Sequence, residues 1–161
     1  MGFGTEEDLR RIVETYSTML LHLAMTRTRC TADAEDAVQE VFLYLLTKQP
    51  RFRDGAHEKA WLIRATIHRA CDLQRAASSR LLPLEEAQAI PAPETEVPQL
   101  LSAVQALPEK YSTVVHLYYY EGYTIKEIAK LLGLPSPTVG TRLARGREKL
   151  KAMLKEDDYE P

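Results

Sequence analysis

Cysteine is nearly missing from this chain. Its 161 residues hold two, Cys30 and Cys71, and they do not form a C-x-x-C pair. Neither a disulfide framework nor a cysteine zinc cluster is suggested, and a reducing compartment fits. Long apolar runs are missing as well. The longest, Met19 to Met25, is interrupted by His22 and is too short to span a bilayer. The first residues show no basic segment followed by an apolar stretch and a cleavage site. A cytoplasmic location with no membrane insertion is the expectation. Glycines do not cluster into a phosphate-cradling loop, and no His and carboxylates gather at metal-ligand spacing. No nucleophile–base pair is evident, so neither cofactor nor metal is expected and the chain does not read as an enzyme. A large charge excess is also absent. With a net charge of −2, any surface for nucleic acid must be local and balanced by acids elsewhere.

What the chain has is helical periodicity. The length suits one ordinary domain or two small ones. A helix is expected from about Thr5 to Arg29, where Leu9, Ile12, Val13, Tyr16, Met19, Leu20 and Leu23 recur at three- and four-residue steps. A second is expected from Thr31 to Leu46, with Ala34, Ala37, Val38, Val41, Phe42 and Leu45 as its buried stripe. A polar loop over 47–58 leads to a third, from Glu58 to Ser78. Residues 81–98 then change character. They hold four prolines, four glutamates and no Lys or Arg, which reads as a flexible acidic linker. Leu100, Leu101, Val104 and Leu107 form a short amphipathic helix. Pro108 opens the next, over Glu109 to Glu121, and Gly122 ends it. After Lys155 the tail, residues 156–161, is acidic and is expected to be disordered. The fold class is therefore all-α: two small helical domains, 1–80 and 99–155, joined by the linker.

The stretch Thr124–Lys151 is the most informative. Thr124 and Glu127 form a T-x-x-E capping box, and Ile125, Ile128, Ala129 and Leu132 mark one apolar face. Gly133 stops that helix, and Ser136 with Pro137 restarts the chain as N-cap and first-turn proline. Small Ala129, turn-forming Gly133 and branched Val139 have the spacing of a helix-turn-helix. Between Thr138 and Lys155 the second helix carries six Lys/Arg against one acid, Glu148. A solvated face mixes signs more evenly, so DNA is favoured as partner over a plain helical hairpin.

Two other helices carry candidate surfaces. Asp33, Asp36, Gln39 and Glu40 share the polar side of the second helix. Acids in a first turn suit the helix dipole, but Gln39 and Glu40 extend the face beyond it without basic partners at helical spacing. A basic protein partner explains this better than catalysis or metal binding. On the third helix Trp61, Arg64, His68 and Arg75 share a face. A ring beside arginines suits single-stranded nucleic acid, and it equally suits a core anchor beside solvated charges.

Together these features resemble a bacterial RNA polymerase sigma factor of the sigma-70 family, in the extracytoplasmic-function (group four) form that keeps regions two and four. Asp33 to Phe42 is similar to the helix that docks on the polymerase β′ clamp helices. Ala60-Trp61-Leu62-Ile63-Arg64 through Asp72 and Arg75 is similar to the helix that melts and reads the −10 element. Leu107-Pro108, Glu127-Ile128-Ala129, Thr138-Val139 and Arg142 to Arg147 are similar to the −35 reader. The resemblance implies core RNA polymerase (β′ clamp helices and β flap) and promoter DNA as partners. It also implies an anti-sigma factor, in some relatives membrane-anchored. It assigns −35 contact to Thr138, Gly140, Thr141, Arg142, Arg145 and Lys149. It assigns −10 contact to Trp61, Arg64, His68 and Arg75, and polymerase docking to Asp33, Asp36, Gln39 and Glu40. His68 stands where Asn is usual, Pro137 where Gly is common, and Gly140 where a cation is common. The −35 preference of relatives therefore does not transfer. A symmetric helix-turn-helix repressor would instead bind duplex DNA without polymerase, and a nucleotide enzyme would need glycines or metal ligands that are not there.

Overall fold

The computed structural model describes residues 6–28, 30–79 and 99–158. Within them the chain forms seven helices: α1 (Glu6–Met25), α2 (Thr31–Lys48), α3 (Gly55–Ser79), α4 (Gln99–Ala106), α5 (Glu109–Tyr119), α6 (Ile125–Leu132) and α7 (Ser136–Asp158). They divide into two compact units, residues 1–92 and 93–161. The boundary falls within 81–98, so the acidic-linker reading lies outside the described residues. The disorder expected of the tail does not start at residue 156, because α7 continues to Asp158.

In the first unit α1, α2 and α3 pack on one another. Ile12, Leu20, Leu23 and Ala24 of α1 meet Ala34, Ala37, Val38, Val41 and Leu45 of α2 and Leu62, Ile63, Ile67 and Ala70 of α3. Burying a Leu or Ile side chain contributes about 1.5–3 kcal/mol. The α1 end comes four residues earlier than periodicity suggests. The Thr26 hydroxyl donates to the Leu23 carbonyl at 2.6 Å and the Thr28 hydroxyl to that of Ala24 at 3.2 Å. These bonds compete with the helical ladder. α3 begins earlier than Glu58. Asp54 caps it: its Oδ1 accepts from the His57 N–H at 2.8 Å and its carbonyl from the Glu58 N–H at 3.1 Å. Phe52, 4% exposed, anchors the intervening loop. At the surface between α1 and α3, Arg11 Nη1 and Nη2 grip both carboxylate oxygens of Glu58 at 2.9 and 2.8 Å. That fork ties α1 to the start of α3 and holds the Arg11 guanidinium above its ordinary pKa.

In the second unit α5 and α7 form the central pair, with α4 and α6 against them. Leu101, Val104, Leu107, Val114, Val115, Leu117, Ile128, Val139 and Leu143 fill the core, while Leu100 faces outward. The Ser112 hydroxyl donates to the Val104 carbonyl at 2.7 Å, so this buried polar group is satisfied. α5 ends at Tyr119, two residues before Glu121. Gly122 has φ +72°, and the Tyr123 N–H reaches the Leu117 carbonyl at 3.1 Å. Both halves of the capping box are present: the Glu127 N–H donates to Thr124 Oγ1 at 3.1 Å and the Thr124 N–H to Glu127 Oε1 at 3.0 Å. Gly133 has φ +67° and closes α6. α7 starts one position before the residue anticipated. The Pro135 carbonyl accepts from Val139 at 3.2 Å, so Pro135 takes the cap position and Ser136 and Pro137 are the first two helical residues.

Candidate functional site

The capped turn between α6 and α7 places the first two turns of α7 on the surface. Val139 and Leu143 point into the core, so Pro137, Thr138, Thr141, Arg142 and Arg145 take the other face. Four of the residues expected for −35 contact, Thr138, Thr141, Arg142 and Arg145, line one open groove of about 330 Å3. Its other wall is the start of α5, Lys110 and Tyr111, which the sequence reading did not select. Gly140 and Lys149 are not part of that lining. Gly140 is half-buried, with nothing within 4 Å of where a Cβ would stand. Lys149 Nζ lies 5.8 Å from the centroid of the Tyr111 ring, and Lys110 Nζ lies 5.1 Å from it. The Thr141 hydroxyl donates to the Pro137 carbonyl at 3.0 Å. Its proton is thereby used, and the oxygen faces outward as an acceptor.

Burial alone would raise the Tyr111 phenol. The neighbouring Arg145 and Lys110 side chains, which favour the phenolate, outweigh it, and its pKa lies below the ordinary tyrosine value. Arg147 is exposed and sits 5.8 and 5.6 Å from the rings of Tyr118 and Tyr119. The tyrosine run divides as the periodicity suggests. Tyr118 is half-buried, while Tyr119 and Tyr120 are 51% and 39% exposed.

The first unit carries a larger open groove between α2 and α3, of about 550 Å3. Trp61, Arg64 and His68 line it together with Tyr44, Glu40, Arg69 and Asp72. Trp61 is neither a core anchor nor a free ring. Tyr44 lies 5.8 Å from it and Phe52 meets it edge-on at 5.7 Å, which fixes the indole on the groove wall. Arg75 is not part of this lining but pairs with Asp72, which is, at 2.7 Å.

The acidic face of α2 divides in two. Asp36 and Gln39 are exposed and Asp33 is half-buried. Glu40 does have a basic partner, Arg69 of α3, which holds both its oxygens, Nη2 to Oε1 at 2.9 Å and Nε to Oε2. Helical spacing along α2 could not reveal a partner on another helix. Among the described residues no group of three or more His, Cys, Asp or Glu could hold a metal ion. No described helix is long and apolar enough to cross a membrane.

Known proteins agree with this architecture. Residues 12–80 match the family model "Sigma-70 region 2" and residues 98–150 match "Sigma-70, region 4". SigM of Mycobacterium tuberculosis, an ECF RNA polymerase sigma factor, is 28% identical over 148 residues, covering 89% of this chain and 76% of that protein. SigW of Bacillus subtilis, another, is 27% identical over 172 residues, covering 95% and 92%. The sigma factor RpoE of Bartonella quintana, solved in complex with the anti-sigma factor NepR, superposes with a TM-score of 0.72 at 20% identity. That match covers 92% of this chain and 98% of that one. Both regions occur here in family order, each on its own compact unit, and the chain belongs to the sigma-70 family, as an extracytoplasmic-function RNA polymerase sigma factor that directs promoter-specific transcription initiation.

Proposed function

We propose that this sigma factor divides its work among three surfaces and leaves the chemistry to the polymerase, with no catalysis of its own. The observation that carries the reading is the groove beside α7. Thr138, Thr141, Arg142 and Arg145 converge there at the exposed start of a helix-turn-helix second helix. Such a helix enters the major groove, about 12 Å wide, where Arg can fork onto guanine and a threonine oxygen can accept from an exocyclic amine. Arg142 and Arg145 are the proposed −35 base or phosphate contacts and Thr141 an acceptor. Lys149 lies further along, beside phosphate. Gly140 lets the α7 backbone come close to DNA.

The groove of the first unit is the proposed seat of the opened −10 strand. A base stacks on Trp61 while Arg64 and His68 meet phosphate or base edges; base–aromatic stacking is worth about 1–3 kcal/mol. Arg75 adds a cation further along α3. The exposed Asp36 and Gln39, with Asp33, are the proposed contact with the β′ clamp helices, and Glu40 supports that face from its pair with Arg69. The second unit also meets the β flap. Like the relative solved with NepR, the chain is proposed to be held by an anti-sigma factor, membrane-anchored or not, and to act in the cytoplasm.

Run-off transcription with core polymerase tests the reading. A promoter-specific transcript that needs both this chain and a selected template is the expected result. Core polymerase with this chain giving no specific product on templates selected from a randomised promoter library would overturn it.

A further inference from the structure

Glu40 belongs to two surfaces at once. It follows Asp36 by one turn on the polar side of α2, and it also lines the groove in which Trp61, Arg64 and His68 stand. From that double membership we propose that Glu40 and Arg69 form a latch between polymerase docking and strand capture. A basic polymerase group at α2 draws Glu40 off Arg69, and Arg69 turns into the groove as a cation for the opened −10 strand. The proposal rests on the docking reading of α2 and the −10 reading of the groove, and it makes the second depend on the first.

In the closed latch Arg69 is occupied. Its Nη2 donates to Oε1 of Glu40 at 2.9 Å and its Nε to Oε2, so one edge of the guanidinium and both carboxylate oxygens are engaged. Its Nη1 lies 3.8 Å from Oδ2 of Asp72, whose Oδ1 accepts from Arg75 at 2.7 Å. Glu40, Arg69, Asp72 and Arg75 therefore alternate in sign from the docking helix into the groove and along α3. The groove itself is balanced in charge. Its lining holds two carboxylates, Glu40 and Asp72, and two guanidinium groups, Arg64 and Arg69. A nucleic-acid backbone entering it meets the negative charge of Glu40 and a neutralised Arg69.

The pair is placed to exchange partners. The side chains of Arg69 and Glu40 keep 39% and 42% of their surface exposed, and a pair this open is held weakly enough for a second cation to compete. A basic group docked against Asp36 and Gln39 borders the next turn of α2, where Glu40 stands. It attracts Glu40 and repels Arg69, and both forces part the pair. Asp72 then serves as the next partner of Arg69 and keeps the guanidinium on the groove wall. The coupling is reciprocal, so a bound strand tightens polymerase docking by the factor by which docking tightens the strand.

The test titrates a dye-labelled single strand, carrying the −10 sequence of a promoter that gives run-off product, with the full chain alone and with holoenzyme at saturating core polymerase. Glu40→Gln is a neutral replacement of the same shape at a half-exposed site. Without polymerase it should bind the strand severalfold more tightly than the parent. In the Arg69→Gln background the same change should have no effect, whereas simple loss of a negative charge predicts an equal gain in both backgrounds. In holoenzyme the gain should vanish, because polymerase has already opened the latch. There Arg69→Gln should weaken strand binding severalfold and lower the slope of log K against log salt by about 0.7. No gain in the free chain, an equal gain in both backgrounds, or a gain that persists undiminished in holoenzyme overturns the latch alone. Strand binding by holoenzyme that survives Trp61→Ala unchanged overturns the −10 reading, and the latch with it.

Discussion

A Cβ on Gly146 would stand 2.7 Å from Cγ2 of Val115, so these two residues fix how closely α7 lies on α5. Val115 is fully buried and β-branched, and its stiff side chain cannot swing away. Gly146→Ala gains up to about 1 kcal/mol of helix propensity but overpacks the core by about 1–3 kcal/mol. Overpacking wins, because the next neighbour, Tyr111 Cβ at 3.3 Å, is equally anchored. A net loss of up to about 2 kcal/mol in the second unit is expected. Trp61 is the single tryptophan and lies in the first unit. Urea titration by circular dichroism should therefore shift for the variant while the Trp61 fluorescence transition stays in place. Equal stability of variant and parent would show that the helices can part without cost.

Gly140, six residues earlier on the same helix, has the opposite character. Nothing lies within 4 Å of its would-be Cβ. Intramolecular packing does not require a glycine there, and Gly140→Ala should stabilise the second unit by about 0.5–1 kcal/mol. If the α7 backbone approaches DNA at this point, the same variant binds promoter DNA more weakly as holoenzyme. A more stable protein with weaker promoter binding is the expected pair of results. A stability gain with unchanged affinity would remove Gly140 from the DNA surface.

The contrast between these glycines shows what the sequence could and could not disclose. Both lie in the same basic helix, and only three-dimensional packing separates the one that is required from the one that is not. Periodicity located every helix of both units, because Ile128, Ala129, Val139 and Leu143 can only bury themselves one way on a 3.6-residue repeat. The Thr124–Glu127 box was legible since capping is local in sequence. Tertiary partners were not. Arg69 for Glu40, Tyr118 and Tyr119 for Arg147, and Lys110 and Tyr111 for the α7 groove all come from other helices. The Asp54 cap was missed for a different reason. The run Pro50 to Gly55 reads as loop because Asp-Gly is a turn signal, although aspartate is also a preferred N-cap.

The Glu40–Arg69 pair also decides how the polymerase contact should be tested. Replacing Glu40 by Arg would set two guanidinium groups against each other between α2 and α3 and disturb the fold. Asp36 and Gln39 are exposed, so introducing positive charge there leaves the packing alone. Asp36→Arg with Gln39→Arg should abolish capture of core polymerase, because like charges across an interface cost several kcal/mol. Circular dichroism and the unfolding midpoints should not change. Retention of polymerase by this double variant would move the docking surface elsewhere.

The capping box at the start of α6 gives a pH signature. Hydrogen bonds from the Thr124 backbone N–H and then its hydroxyl hold the Glu127 carboxyl below its ordinary value of 4.5. A carboxylate with a depressed folded-state pKa adds stability above its unfolded pKa, and that stability is lost as pH falls through the folded one. The window is therefore below about pH 4.5. Thr124→Ala should cost about 0.5–2 kcal/mol at neutral pH by removing the acceptor for the Glu127 N–H. Glu127→Gln keeps an acceptor for the Thr124 N–H but cannot titrate. Its urea midpoint should lie below that of the parent at pH 7 and converge with it by pH 3, as the parent's carboxylate takes up its proton. A gap of the same size at both pH values would mean that the charge of Glu127 contributes nothing to the start of α6, and that the box works through hydrogen-bond geometry alone.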